Sequence, residues 1–389
     1  MKICHVINIG HEAGGAEKSV RLLTDGMRAR GHTVNVIATD HRLGEAPPFA
    51  DIIVPAVAGN PAQLAGRFFW NRGAYDGVRA AMDRIRPDVV HLHTIGMFSP
   101  SVLDATRDQK RVLTIHGPED FTLELLPWMF PNRSKGNGSL RFFDNARYAR
   151  LRFVQRPAYL ARLRQLDRVF VPSAFYANAV RRDIGRVPLH VVPNGIEMTP
   201  PTPLVNPQRF TFVGRFEESK GVRVAVAAFA QIAADHPKAE LVMIGDGPLR
   251  AEMEKLVAAS GVADRVQLTG WLPEADLRGA YADTGVVLVP SVFPDNFPTV
   301  AIEAIAAGRA IIGAVSGGIP ELVRTGVNGL LVPRSDVGAL AWAMDKLAGD
   351  EALVRRMGKE SAALAPAYTL DTLMDRLETH YRAVAPAAR

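Results

Sequence analysis

The chain has 389 residues, 48% of them hydrophobic and 22% charged, with a formal net charge of +6 and a mean hydropathy of +0.03. That length exceeds one compact core and predicts two domains at about 100–200 residues each, and the composition excludes a disordered chain. No run of 18 apolar residues occurs, so no transmembrane helix is expected, and Cys4, the sole cysteine, excludes an internal disulfide and a cysteine-based zinc site. The opening MKICHVINIG has one lysine and a short apolar run, unlike a secretion signal, so the expected location is cytoplasmic. Charge divides unevenly: residues 1–195 hold 27 basic against 17 acidic side chains, and residues 196–389 hold 19 against 23. A basic half attracts phosphorylated substrates, anionic lipid or nucleic acid.

Short β-type runs alternate with helical patterns along the whole chain. In the first half the expected strands are Lys2–Ile9, Thr33–Ala38, Val89–His93, Arg111–His116, Arg168–Val171 and His190–Val192. Between the first two, Val20, Leu23 and Met27 recur at helical spacing and Gly31 sits where a helix stops. The stretch Glu197–Gln208 carries four prolines and no periodicity, and residues 198–207 are expected as a linker. The alternation then restarts with Phe210–Val213, Glu240–Ile244, Val266–Thr269, Gly285–Val289, Ala310–Ile312 and Leu330–Val332. This pattern predicts α/β architecture, two doubly wound Rossmann-like domains over residues 1–197 and 208–369. The final helical pattern, within 370–389, is expected to pack back on the first domain. Ligands of such sheets bind beyond the carboxyl ends of the strands, and a cleft between the domains is the expected site.

Several common cofactor signatures are missing. There is no G-x-x-x-x-G-K-[ST] phosphate loop, no correctly spaced G-x-G-x-x-G after the first strand, and no Asp-x-Asp pair to bridge a metal to a diphosphate. Instead, FTFVGRFEESKG places Arg215 at a strand end and Lys220 before a helix expected at Val222–Ala234. Two cations beside a helix start make a metal-free diphosphate site; a surface arginine and lysine flanking a turn have the same pattern. In PSVFPDNFPTVAIEAIAAG a strand ends at Pro290 and a helix begins near Thr299, with Pro298 suited to its first turn. The first-turn N–H groups at Thr299 and Val300 favour an anion. Glu303, a turn further on, suits a vicinal diol such as a ribose, and Asp295 lies in the preceding loop. As an isolated pair these acids equally suit a turn residue and a satisfied helix carboxylate.

Taken in order, GR-x4-KG, IGDGP, Asp295-x7-Glu303 followed by alanine, GGIPELV and NGLLV resemble the second domain of family-4 retaining glycosyltransferases of the GT-B fold. The first domain is similar as well, through GGAE at Gly14–Glu17, TIHG around His116 and VPNGI at Pro193–Ile196. The family pattern is E-x7-E, so Asp295 is a departure that shortens the reach by one methylene. The resemblance implies two domains facing across a cleft and a nucleotide-diphosphate sugar as co-substrate, UDP-linked in preference to GDP-linked. It further implies retention at the anomeric carbon, with no cofactor and no metal. Arg215 and Lys220 match the pair holding the diphosphate, Glu303 the ribose-binding glutamate, and Asp295 the acid near sugar and phosphate. Asn296, Phe297, Thr299 and Val300 fall in the same donor-binding loop, and Gly14 and Gly15 match a loop approached by the donor phosphate or the acceptor. His116 matches a histidine facing the transferred sugar, with Glu17 and His93 on the acceptor side. The acceptor is expected to be a hydroxyl of a lipid-linked or surface glycan or of a small metabolite. Two other readings stay open: a nucleotide-sugar epimerase of the same fold and a non-catalytic nucleotide- or glycan-binding subunit.

Two histidine readings compete on residues alone. His91 and His93 share one strand face as a metal pair would, yet no third ligand is expected nearby. His116 without the family is a histidine satisfied at a strand end. The segment Arg133–Arg168 adds ten basic and two acidic residues with Phe142, Phe143, Tyr148, Phe153 and Tyr159 interleaved, after Trp128 and Phe130. It reads either as an arginine-rich helix pair whose aromatics pack inward or as a peripheral surface for the inner face of a membrane. Nucleic acid is not expected, because no recognised module accompanies the charge.

Overall fold

The computed structural model describes residues 1–59, 64, 66–119, 121–130, 138–198, 201 and 203–385. Arg133 and Lys135 of the basic segment, and the side chain of Trp128, lie outside the described residues. The chain forms two compact units, Met1–Asn194 with Leu370–Arg389, and Gly195–Thr369.

The first unit contains β1 (Lys2–Ile9), α1 (Gly15–Ala29), β2 (Thr33–Thr39), β3 (Ile52–Val54), α2 (Arg72–Ile85), β4 (Val89–Leu92), α3 (Ser101–Ala105) and β5 (Arg111–Thr114). These are followed by α4 (Gly138–Arg150), α5 (Arg156–Leu163), β6 (Arg168–Val171), α6 (Ala174–Ile184) and β7 (Leu189–Val191). Its seven strands run parallel in the order β3-β2-β1-β4-β5-β6-β7. The central strands are short runs buried on both faces, as VVHL of β4 shows with every residue buried, which is how a helix-covered parallel sheet reads in sequence, while the edge strands β3 and β7 are partly exposed. Val20, Leu23 and Met27 of α1 face the core as their spacing requires. Asn71 and Ser173 cap α2 and α6 by accepting from Ala74 N and Tyr176 N.

The second unit contains β8 (Arg209–Val213), α7 (Val222–Ile232), β9 (Glu240–Ile244), α8 (Arg250–Ala259), β10 (Val266–Gly270), α9 (Glu274–Ala282) and β11 (Val286–Val289). It continues with α10 (Thr299–Ala306), β12 (Ala310–Ala314), α11 (Ile319–Leu322), β13 (Gly329–Val332), α12 (Val337–Ala348) and α13 (Glu351–Leu364). Its six parallel strands are ordered β10-β9-β8-β11-β12-β13. Apolar clusters cover both sheet faces, one around Phe210, Phe229 and Met344 and the other around Val287, Ile302 and Ile311.

The last helix, α14 (Leu370–Val384), belongs to the first unit. Leu373, Met374, Leu377 and Tyr381 complete a cluster with Ile3, Leu23, Met27, Val89 and Val112. Arg30 of α1 reaches Asp371 at 2.8 Å, Asp375 at 2.6 Å and Glu378 at 3.1 Å on that helix.

Sequence and structure differ at several edges. β3 is only three residues long and too short for periodicity to reveal. β4 and β5 end at Leu92 and Thr114, before His93 and His116, although His93 N still donates to the Val6 carbonyl at 2.9 Å. The helix after Lys220 ends at Ile232, not Ala234. Residues 195–198 already belong to the second unit, where Ile196 N donates to the Tyr368 carbonyl at 3.0 Å.

Candidate functional site

In the second sheet the strand order reverses between β8 and β11, and at such a switch the following loops diverge and leave a crevice. Arg215 lies two residues beyond β8, its side chain 63% exposed and its Nε 3.6 Å from the Glu217 carboxylate. Lys220 stands before α7 and its Nζ donates to Asp295 Oδ2 at 2.6 Å. Ser291 Oγ donates to the same oxygen at 2.9 Å. A cation from the β8 loop and an acid from the β11 loop, 75 positions apart, thus meet at the switch point.

Backbone contacts fix the β11 loop. Val292 N and Phe293 N donate to the Ser219 carbonyl at 2.8 and 3.3 Å, and Gly318 N donates to the Asp295 carbonyl at 2.8 Å. Ser316 Oγ donates to the Phe293 carbonyl at 2.9 Å. Gly317 has φ +59° and a Cβ there would overlap the Asp295 backbone, while a Cβ at Gly221 (φ +72°) would overlap the Pro290 carbonyl. Both positions need glycine for conformation and for space. Asn296 and Phe297 are buried, the Phe297 ring lying 5.9 Å from that of Tyr368. α10 opens directly after Pro298, and its first turn contains the Thr299 and Val300 N–H groups, which an α-helix leaves without partners inside itself. One turn on, Glu303 Oε2 accepts from the Tyr281 hydroxyl at 2.8 Å. Burial, followed by the Glu303 charge and this hydrogen bond, raises the Tyr281 pKa well above its ordinary value, so the phenol stays a donor. Arg309, almost wholly buried, donates from Nε to the Tyr281 carbonyl at 2.7 Å. Tyr281, Ser291 and Arg309 were not singled out from sequence; their signal is spatial, since 22 positions separate Tyr281 from Glu303.

In the first sheet the order reverses between β1 and β4. Gly14 precedes α1 with extended backbone and Gly15 opens the helix. A Cβ on Gly15 would meet nothing within 4 Å, so the fold itself does not require a glycine there. Glu17, in the first turn, is 9% exposed, and burial raises its carboxyl above the usual range. His116 is partly buried, and its desolvation lowers its pKa to about 4. Its Nε2 lies 2.9 Å from His93 Nδ1, and His93 Nε2 lies 2.9 Å from His5 Nδ1.

The His91–His93 pair does have a third imidazole beside it, contrary to the sequence reading, because parallel register sets His5 of β1 opposite His91 of β4. One ring nitrogen from each of the three lies within 4.8 Å of the others. Hydrogen bonds already occupy His91, whose Nδ1 meets Tyr381 Oη at 2.5 Å and whose Nε2 meets Thr114 Oγ1 at 2.7 Å. Both nitrogens of His93 are engaged by its two histidine neighbours, so the cluster is built as a hydrogen-bond array rather than as a set of waiting ligands.

Within the basic aromatic segment, Gly138–Leu163 form one helical stretch, α4 and α5 joined by a π-helical turn at Leu151–Gln155. Its aromatics divide. Tyr148 and Tyr159 are buried, as is Phe130, whereas Phe142, Phe143 and Phe153 are 69%, 62% and 68% exposed. Arg156 Nε donates to the Phe121 carbonyl and to Asp183, both at 3.1 Å, anchoring the stretch to the unit. Among the described residues no helix is long and apolar enough to cross a membrane.

Two parallel doubly wound units, each with functional candidates at its switch point, define a GT-B protein. HepE of Anabaena, solved in complex with UDP, superposes with TM-score 0.72 at 18% identity, over 98% of this chain and 100% of that one. Residues 13–199 match the model of Glycosyltransferase Family 4 and residues 200–363 that of the Glycosyl transferases group 1. The chain belongs to this group 1, family 4 of glycosyltransferases. A 2-deoxystreptamine N-acetyl-D-glucosaminyltransferase of Streptomyces fradiae is 28% identical over 76% of this chain and 71% of its own length. An exopolysaccharide phosphotransferase of Streptomyces coelicolor is 33% identical over 49% of this chain but only 20% of its own length. Other curated relatives are likewise spanned for less than half their length.

Proposed function

We propose that this protein transfers a sugar from a nucleoside-diphosphate donor to an acceptor hydroxyl, with retention at the anomeric carbon and without a metal ion. The observation that carries the reading is the meeting of Lys220 and Asp295 at the switch point, one loop before the start of α10. A diphosphate placed there would exchange the Asp295 carboxylate for its own oxygens on Lys220, draw in the exposed Arg215, and face the first-turn N–H groups of Thr299 and Val300. Asn296 and Phe297 shape that loop from within. Glu303, already oriented by Tyr281, would accept from the ribose diol, while Asp295, released from Lys220, would turn to the sugar. Gly14 and Gly15 leave backbone accessible to phosphate or acceptor, His116, bonded to His93, would serve the transferred sugar, and Glu17 would lie on the acceptor side.

In the reaction the bond from C1 to the phosphate oxygen breaks and its electron pair leaves with the nucleoside diphosphate. The acceptor oxygen bonds to C1 on the same face, and its proton passes to the departing phosphate. Preorganised cations and helix N–H groups stabilise the charge that grows on the leaving group, a contribution of about 10²–10³-fold for each donor removed. UDP is favoured because the fold neighbour HepE was solved with it. A small hydroxylated acceptor is favoured by the name of the Streptomyces fradiae relative, which acts on the aminocyclitol 2-deoxystreptamine. Calorimetric titration with UDP and GDP in chelator tests this: one nucleotide binds, and Glu303→Ala loses it. Binding of neither, or binding unchanged in the variant, removes the donor site from this crevice.

A narrower proposal concerns location. The exposed Phe142, Phe143 and Phe153, with the exposed Arg141, Arg147 and Arg152 near them in sequence, are the apolar and cationic side chains that would rest on an anionic lipid surface. Flotation with phosphatidylserine vesicles is expected to carry the protein upward at low salt and release it at high salt. No salt-sensitive association ends this proposal.

A further inference from the structure

Four imidazoles cluster on β1 and β4 and just beyond the ends of β4 and β5, and three are linked end to end. His5 and His91 are register partners on β1 and β4, and His93, two residues on from His91, shares its face. The linked rings are His5, His93 and His116, with N···N separations of 2.9 Å at both joints. At the inner end, His5 Nε2 is buried and has no hydrogen-bond partner. Burial holds all three rings below their ordinary pKa, His5 at about 3 and His116 at about 4, so each is neutral near pH 7 and carries one N–H.

A neutral imidazole donates from one nitrogen and accepts at the other, so the joints have only two consistent polarities. If the chain ran from His116 inward, its last proton would sit on His5 Nε2 as a buried donor with nothing to receive it. If it runs outward, His5 donates from Nδ1, His93 accepts at Nε2 and donates from Nδ1, and only a bare lone pair is left at His5 Nε2. An orphaned N–H is the rarer and costlier defect of the two.

We propose that His5 and His93 are positioning residues that hold His116 as its Nδ1–H tautomer, with Nε2 committed to His93, so that Nδ1 carries the proton and His116 acts in the transfer as a neutral imidazole and not as a base. The functional half of this rests on His116 facing the transferred sugar; the tautomer does not. The unpartnered nitrogen of a residue on β1 thereby sets the proton position two rings away.

Nitrogen-15 NMR of histidine-labelled protein reads the tautomer directly. Wild type is expected to show His116 protonated at Nδ1 and bare at Nε2. His5→Leu removes the first donor, and the His116 ring signals should shift toward a mixture of tautomers, with kcat down about tenfold and KM for the donor unchanged. His5→Asn places an amide N–H where Nδ1 was and should restore both the signals and kcat. A His116 protonated at Nε2 in wild type overturns the proposal without any variant having to fold, as does a tautomer unmoved by His5→Leu. Stoichiometric Zn²⁺ that shifts His5, His91 and His93 together overturns it in favour of a metal site. If the tautomer is as stated but His116→Ala keeps full turnover, the imidazole chain is supported and only the role given to His116 fails.

Discussion

Beyond its strands the C-terminal sheet carries charge in the open: Arg215 is 63% exposed, and Lys220 and Asp295 pair at 2.6 Å with partial exposure. The N-terminal sheet keeps a row of neutral imidazoles, with His5, His91 and His93 buried and His116 partly so. The loops differ in the opposite sense. In the C-terminal unit Gly221 and Gly317 are locked against neighbouring backbone, whereas Gly15 at the start of α1 meets nothing. One unit therefore fixes its backbone and leaves ionic side chains partly exposed. The other fixes its side chains in a hydrogen-bonded row and leaves a loop open.

Acid should separate the two units most strongly. Unfolded histidines take up protons near pH 6.5, while folded His116 waits until about pH 4 and His5 until about pH 3. Between those values the unfolded chain binds more protons, so stability is complete above pH 6.5 and falls as the pH drops. Each buried imidazole contributes up to about 1.4 kcal/mol per pH unit to that fall. The second unit holds a single histidine, His236, partly exposed beside Asp345. Hydrogen exchange between pH 7 and 5 is expected to show the first unit losing protection well before the second. Equal acid sensitivity would erase the contrast between the sheets.

The glycines offer a smaller, sharper test. Gly317→Ala should cost about 1–3 kcal/mol in urea unfolding, since it combines a positive φ with overlap on Asp295. Gly15→Ala should stay within about 0.5 kcal/mol of wild type, because the position is open and helical. Its turnover should nevertheless fall if that space belongs to a ligand. A Gly317→Ala variant of full stability, or a Gly15→Ala variant of full activity, would break the comparison from one side or the other.

Much of the fold was legible because parallel strands are continuous apolar runs and the helices between them keep a regular spacing. β11, VVLV, could be little else. β3 escaped because three residues carry no period. At the site, Lys220, Asp295 and Glu303 were each legible as separate residues from their places at strand ends and helix starts. That Lys220 and Asp295 touch was not, since contact across 75 positions depends on strand order. The same limit hid His5. The alternation of His91 and His93 is visible along one strand, but their neighbour comes from β1, and only the register of β1 on β4 supplies it.

Because α14 returns to the first unit, that unit waits for its last piece during synthesis. The cluster of Ile3, Leu23, Val89 and Val112 stays open until Leu373, Met374, Leu377 and Tyr381 arrive. Tyr381 is also the partner of His91, so the histidine face is sealed by the same helix. All of the second unit, Gly195–Thr369, is translated in between, a delay of roughly 10–35 s at about 5–20 residues per second. The second unit, whose chain is continuous, can fold while the first still exposes a sheet face at the ribosome. An N-terminal half excised at Asn194 would inherit that open face permanently, which makes it a substrate for chaperones rather than a domain to be studied alone.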